Sequence, residues 1–70
     1  MQPIIKIIIT FYKSEDAIIY YLYDTTTDET KPINITMNQD FIYFTNCKKD
    51  VLFTLERKDI YLLSIKPNKD

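Results

Sequence analysis

Along most of this chain, apolar side chains recur at every second position, the period of a strand with one buried face. Residues 4–12 (IIKIIITFY) put Ile5, Ile7, Ile9 and Phe11 on one face and Ile4, Lys6, Ile8, Thr10 and Tyr12 on the other. Run length and β-branching predict a strand. INITM (33–37) alternates with Ile33, Ile35 and Met37 on the inner side. FIYFT (41–45) reads as another strand, and VLFTLE (51–56) puts Val51, Phe53 and Leu55 on one face. IYLLSI (60–65) is the last apolar run, ended by Pro67. Polar steps KSED, NQD, NCKKD and RKD separate the runs, and DTTTDETKP (24–32) is a loop in which Pro32 holds Lys31 extended.

Residues 14–23 support two readings. Ser14 followed by Glu15 and Asp16 has the form of a helix N-cap, and Ile18, Ile19 and Leu22 then fall at helical spacing. Against this, IIYYLY is a short β-branched and aromatic run whose side chains lose χ1 freedom in a helix. The run favours a strand hairpin-paired with the first.

The expected fold is therefore all-β: one small barrel or rolled antiparallel meander of about five to six short strands. The ending, a strand, a tight polar step and a last strand, suits SH3-like or Sm-like topology. An α+β fold with a helix at 14–23 is the alternative. The domain is read as residues 1–66, with 67–70 a disordered C-terminal tail. Without glycine, left-handed turn positions are expected to fall on Asn38, Asp40, Asn46, Asp50 and Asp59, and barrel corners lack their usual residue, which keeps an open, partly rolled sheet in contention.

The second faces carry the functional question. Between residues 17 and 23, Ile18, Tyr20 and Leu22 share one side and Ile19, Tyr21 and Tyr23 the other. FIYFT likewise sets Phe41 and Tyr43 opposite Ile42 and Phe44. A chain of 70 residues has one core, so one apolar face is left for self-association, a different protein, or stacked bases. Tyr20, Tyr21, Tyr23, Tyr43 and Phe44 are the candidate partner contacts, with Asp28 and Glu29 at the rim. The competing reading is that these rings are simply core, with phenol tips at the surface.

Composition narrows the chemistry. There is no Gly and no His, so phosphate-cradling loops, dinucleotide-binding turns and histidine relays are excluded. A catalytic role is not expected, nor is a cofactor or a metal. Asp24, Asp28 and Glu29 are too sparse for a calcium loop of the usual kind. Cys47, the single cysteine, has no partner for an intramolecular disulfide; a reactive role beside Lys48 and Lys49 is the alternative, but an incidental turn cysteine is the simpler reading. Asn34-Ile35-Thr36 matches a glycosylation pattern by chance on a strand. The opening PIIKIII lacks the features of a leader, so the chain is read as cytoplasmic and not membrane-bound.

Net charge is −1, with no bias toward phosphate backbones. Residues 1–45 hold three lysines against six acids, and residues 46–70 hold six basic groups against four acids, a gradient from −3 to +2. Lys48, Lys49, Arg57 and Lys58 near the C-terminal end define the alternative function, single-stranded nucleic-acid binding by a small β-barrel. The favoured expectation is a non-enzymatic protein-binding module, homo-oligomeric, of the kind that modulates or inhibits a larger host protein. Twelve Ile and eight Lys to one Arg point to AT-rich coding, which suits a phage or mobile-element accessory protein.

Overall fold

In the computed structural model, which describes residues 2–69, every predicted apolar run is a strand. They are β1 (Pro3–Phe11), β2 (Ala17–Tyr23), β3 (Asn34–Met37), β4 (Phe41–Thr45), β5 (Val51–Glu56) and β6 (Ile60–Pro67). Arg57–Asp59, the polar RKD step, forms a 3-10 turn between the last two. Residues 14–23 contain no helix: Ser14 Oγ accepts the Asp16 N–H and donates to its carbonyl, a local turn that leads directly into β2. The β-branched run, not the cap-like SED, decides this segment.

The strands form two antiparallel sheets, in the orders β2-β1-β6 and β3-β4-β5. Among the described residues no ladder joins them, so this is an open two-sheet fold and not a closed barrel. Sheets stack face to face about 10 Å apart, which matches a molecule only 16 Å thick along its shortest axis. One layer of side chains fills the gap: Ile7, Ile9, Leu22, Ile42 and Phe44 are buried, with Ile5, Phe11, Tyr20, Ile35, Leu55, Ile60 and Leu63 packed around them.

Register follows from this layer. Ile5, Ile7 and Ile9 face Leu22, Tyr20 and Ile18 across β2, and Ile7 and Ile9 face Ile65 and Leu63 across β6. In the second sheet Phe44 lies between Ile35 and Phe53, and Ile42 between Met37 and Leu55. A slip by one residue would turn each of these sets to water.

The absence of glycine is met by bulges. The register shifts once in each of three ladders, at Pro3/Ile5, at Thr10/Phe11 and at Phe44/Thr45, and bulges bend strands where glycine otherwise would. The last of these puts Val51 opposite Thr45 and leaves it exposed, off the face of Phe53 and Leu55. The expectation for left-handed residues is corrected: among the described residues only Lys49 has positive φ, at 67°. Asn38 and Asn46 instead use their side-chain carbonyls to accept backbone N–H groups of Asp40 and Phe41, and of Lys48 and Asp50. These Asx-type bonds turn the chain without a left-handed residue at the asparagine.

The ordered sheet also runs past residue 66. Pro67 pairs with Ile5, and Asn68 donates its backbone N–H to Ile4 and its side-chain amide to Pro3. Pro67 and Asn68 therefore belong to the domain. Met1 and Asp70, at the ends of the predicted domain and tail, lie outside the described residues.

Candidate functional site

Alternation on β1, β2 and β6 creates an outer face as well as an inner one. Across it, Lys6 stands between Tyr21 and Lys66, Ile8 between Ile19 and Ser64, and Thr10 between Ala17 and Leu62. Ile19 is 47% exposed, Leu62 57% and Tyr21 38%. The charged groups in these three rows are both lysines, directly opposite each other, and no acid shares the rows. Like charges in that position repel. The result is an apolar, positively charged sheet surface. Beyond its Leu62 end, Tyr12 and Tyr61 meet edge to face at 5.4 Å, both largely exposed.

Of the predicted contact residues, Tyr21 alone is on this surface. Phe44 is fully buried and belongs to the core, so its assignment as a contact is corrected: β4 is the middle strand of its sheet, and its Ile42/Phe44 side faces inward. Tyr20 also turns inward, its ring 5.1 Å from Phe44 and 6.0 Å from Phe53. Tyr21 is on the outer face of the first sheet. Tyr23 is half-buried beneath the Lys31 ammonium, 4.7 Å from its ring centre. Tyr43 lies on the outer face of the other sheet beside Phe41 and accepts a 3.4 Å bond from the Asn38 amide.

The rim acids are tied into the 24–32 loop. Asp28 accepts the Thr30 hydroxyl at 2.6 Å and the Thr30 N–H at 2.9 Å, and these bonds, the hydroxyl's first, hold its carboxyl below the usual value. Glu29 pairs with Lys48 at 3.2 Å. Behind them Asn46, 2% exposed, donates to the Glu29 carbonyl and organises the β4–β5 turn.

The four basic residues proposed for nucleic acid are not brought together. Lys48 and Lys49 precede β5, whereas Arg57 and Lys58 follow it, so six strand residues, roughly 20 Å, separate the pairs. Lys48 is paired with Glu29 and Lys58 with Glu56, while Arg57 donates to the Asn38 carbonyl. Their positions around a predicted six-residue strand already carried this information. Lys6, Lys66, Ile19 and Leu62 were not among the expected contacts; the signal available was Lys6 on the second face of an apolar strand.

Among the described residues no three His, Cys, Asp or Glu side chains are grouped to hold a metal ion, and no helix is long and apolar enough to cross a membrane. A depression of about 720 Å³, open to solvent, is lined by Gln39, Asp40, Phe41, Glu56, Arg57 and Lys58. No protein family, curated protein or solved structure compared with the chain matches it.

Proposed function

We propose that this chain is a non-enzymatic protein-binding module that docks an apolar, acidic surface of another protein on the outer face of β2-β1-β6. One observation supports the reading most: Ile8, Ile19, Tyr21 and Leu62 surround two opposed lysines with no acid among them. Apolar contact supplies the affinity, and a partner carboxylate between Lys6 and Lys66 relieves their repulsion. A flat sheet face of this kind suits a small modulator or inhibitor that covers a larger protein, acting in the cytoplasm, as phage or mobile-element accessory proteins do. Base stacking is less well served, because aliphatic side chains dominate the face and Tyr21 is the one aromatic ring in its three rows.

The test is capture from source-cell lysate with the wild-type chain, Leu62→Glu, Lys6→Glu and Tyr43→Glu, with nuclease added. The reading holds if one protein is retained stoichiometrically by wild type and Tyr43→Glu and lost with Leu62→Glu and Lys6→Glu. Retention by all four overturns the assignment of the face. Recovery of nuclease-sensitive material instead favours nucleic acid.

A further inference from the structure

We infer that the open edge of β2 pairs with its own copy, joining two chains across a two-fold axis into one continuous six-stranded sheet. This goes beyond the docking reading and does not depend on it.

The edge is in pairing geometry. Tyr23 turns its N–H away from β1 and donates it to the Pro32 carbonyl at 2.9 Å. Backbone groups of a strand alternate sides, so those of Tyr21, Ile19 and Ala17 also point away from β1. The other end of the pattern agrees: Ile4 O faces β6, where it accepts Asn68 N–H, so the odd residues of β1 serve β2. Among the described residues no backbone hydrogen bond from another element reaches Ala17, Ile19 or Tyr21.

Proteins guard free edges with charges, proline, bulges or brevity. β6 carries Lys66, Pro67 and a bulge, β3 has four residues, and β5 is bulged at one end and closes on Glu56. Over Ala17–Tyr21 β2 has none of these devices: AIIYY is uncharged, and the one shift in its ladder, at Pro3/Ile5 of β1, falls beyond it at the Tyr23 end, where Pro32 also sits.

The free stretch is also self-complementary. Its outward residues, 17, 19 and 21, are centred on Ile19, bounded by Pro32 at Tyr23 and by the turn at Glu15–Asp16. A two-fold axis through Ile19 sets Ile19 against the partner's Ile19, and Ala17 against the partner's Tyr21, small against large. Each such pair exchanges two hydrogen bonds. On the inner side Ile18, itself exposed, meets the partner's Tyr20. No like charges meet within the window. At its ends the same register sets Glu15 opposite the partner's Tyr23, over which Lys31 sits, and Asp16 opposite the partner's Leu22, with the partner's Asp24 alongside, so one lysine and several acids meet there. A foreign strand would need to reproduce all of these features; a second copy has them already.

The contact is one strand long, below the roughly 800 Å² per partner of a standard interface, so dimerisation is an equilibrium with a dissociation constant on the order of micromolar to hundreds of micromolar. Sedimentation velocity over about 1 μM to 1 mM, with amide exchange at both extremes, tests it. The wild type is expected to dimerise, with slowed exchange at Ala17, Ile19 and Tyr21 in the concentrated sample. Ile19→Lys sets two ammonium groups together at the axis and is expected to weaken dimerisation at least about tenfold, partly recovered by salt. Ile19→Pro removes an outward N–H that makes no internal bond and has the same expected effect without a charge. Leu62→Lys, on the far edge, is expected to leave dimerisation unchanged. A wild type that stays monomeric overturns the inference, as does loss of the dimer in Leu62→Lys, which would mean face-to-face stacking.

Discussion

The Asn46 side-chain amide donates a 2.9 Å hydrogen bond to the Glu29 carbonyl, tying the β4–β5 turn to the long 24–32 loop across seventeen positions of sequence. Its carbonyl end accepts from the Lys48 and Asp50 N–H groups, so one buried amide satisfies two turns at once. Asn46→Ala would leave these groups without partners and is expected to cost about 2–4 kcal/mol. Asn46→Asp keeps the acceptor but turns a carboxylate toward the Glu29 carbonyl and the Asp50 carboxylate. Chemical denaturation should find both variants destabilised; an Asp variant as stable as wild type would mean the amide donor contributes nothing.

Removing Phe44 should be far worse than removing Tyr21. Phe44→Ala leaves a cavity between Tyr20 and Phe53 costing about 3–5 kcal/mol. A domain this small has little more than that in total, so the variant should be unfolded by circular dichroism at room temperature. Tyr21→Ala should stay folded, within about 1 kcal/mol of wild type.

Lys49 is the described residue that holds a left-handed conformation. Lys49→Gly removes the Cβ penalty and should add about 1 kcal/mol, a rise of roughly 4–8 °C in melting temperature for a chain of this size. A β-branched Lys49→Val should shift the midpoint the other way.

The Asp28 carboxyl is lowered first by the Thr30 hydroxyl and then by the Thr30 N–H. A depressed value means the charged form is favoured by folding. The stabilisation is fully present above the unfolded value of 3.8 and is lost as pH falls through the lower folded value. Thr30→Val deletes the hydroxyl, so an NMR titration of the Asp28 carboxyl should move back toward 3.8. An unchanged midpoint would assign the shift elsewhere.

Lys6 and Lys66 face one another on adjacent strands. Lys66→Glu turns repulsion into attraction and should raise stability by a few tenths to about 1 kcal/mol at low salt. That gain should shrink at high salt, as a melting series in sodium chloride would record.

The strand set was legible because period-two alternation in β1, β3 and β5 admits no helical solution. In β2, β-branching outweighed a cap-like Ser14. What alternation could not decide was which of two apolar sides faces inward, since Ile18–Tyr20–Leu22 and Ile19–Tyr21–Tyr23 are equally greasy as sequence. That choice belongs to the second sheet, whose Phe44 and Phe53 accept the Tyr20 ring. Phe44 was misplaced for the same reason. The left-handed residue was missed because asparagines that can occupy such positions here turn the chain with side-chain hydrogen bonds, leaving the positive φ to a lysine.

The pairing of β1 with β6 also sets how the chain finds its structure. Ile7 meets Ile65 from fifty-eight positions away, while its other neighbour, Tyr20, is thirteen away. The β1–β2 hairpin can therefore form early, but the middle strand of its sheet keeps one side bare until nearly the whole chain has collapsed around it. Loop-closure entropy must be met before that last ladder stabilises anything, which places folding in the milliseconds-to-seconds regime of non-local β topologies. During that interval the backbone edge of β1 that β6 later occupies stands open to other chains, so refolding yield should fall as concentration rises even though β6 covers that edge in the finished fold.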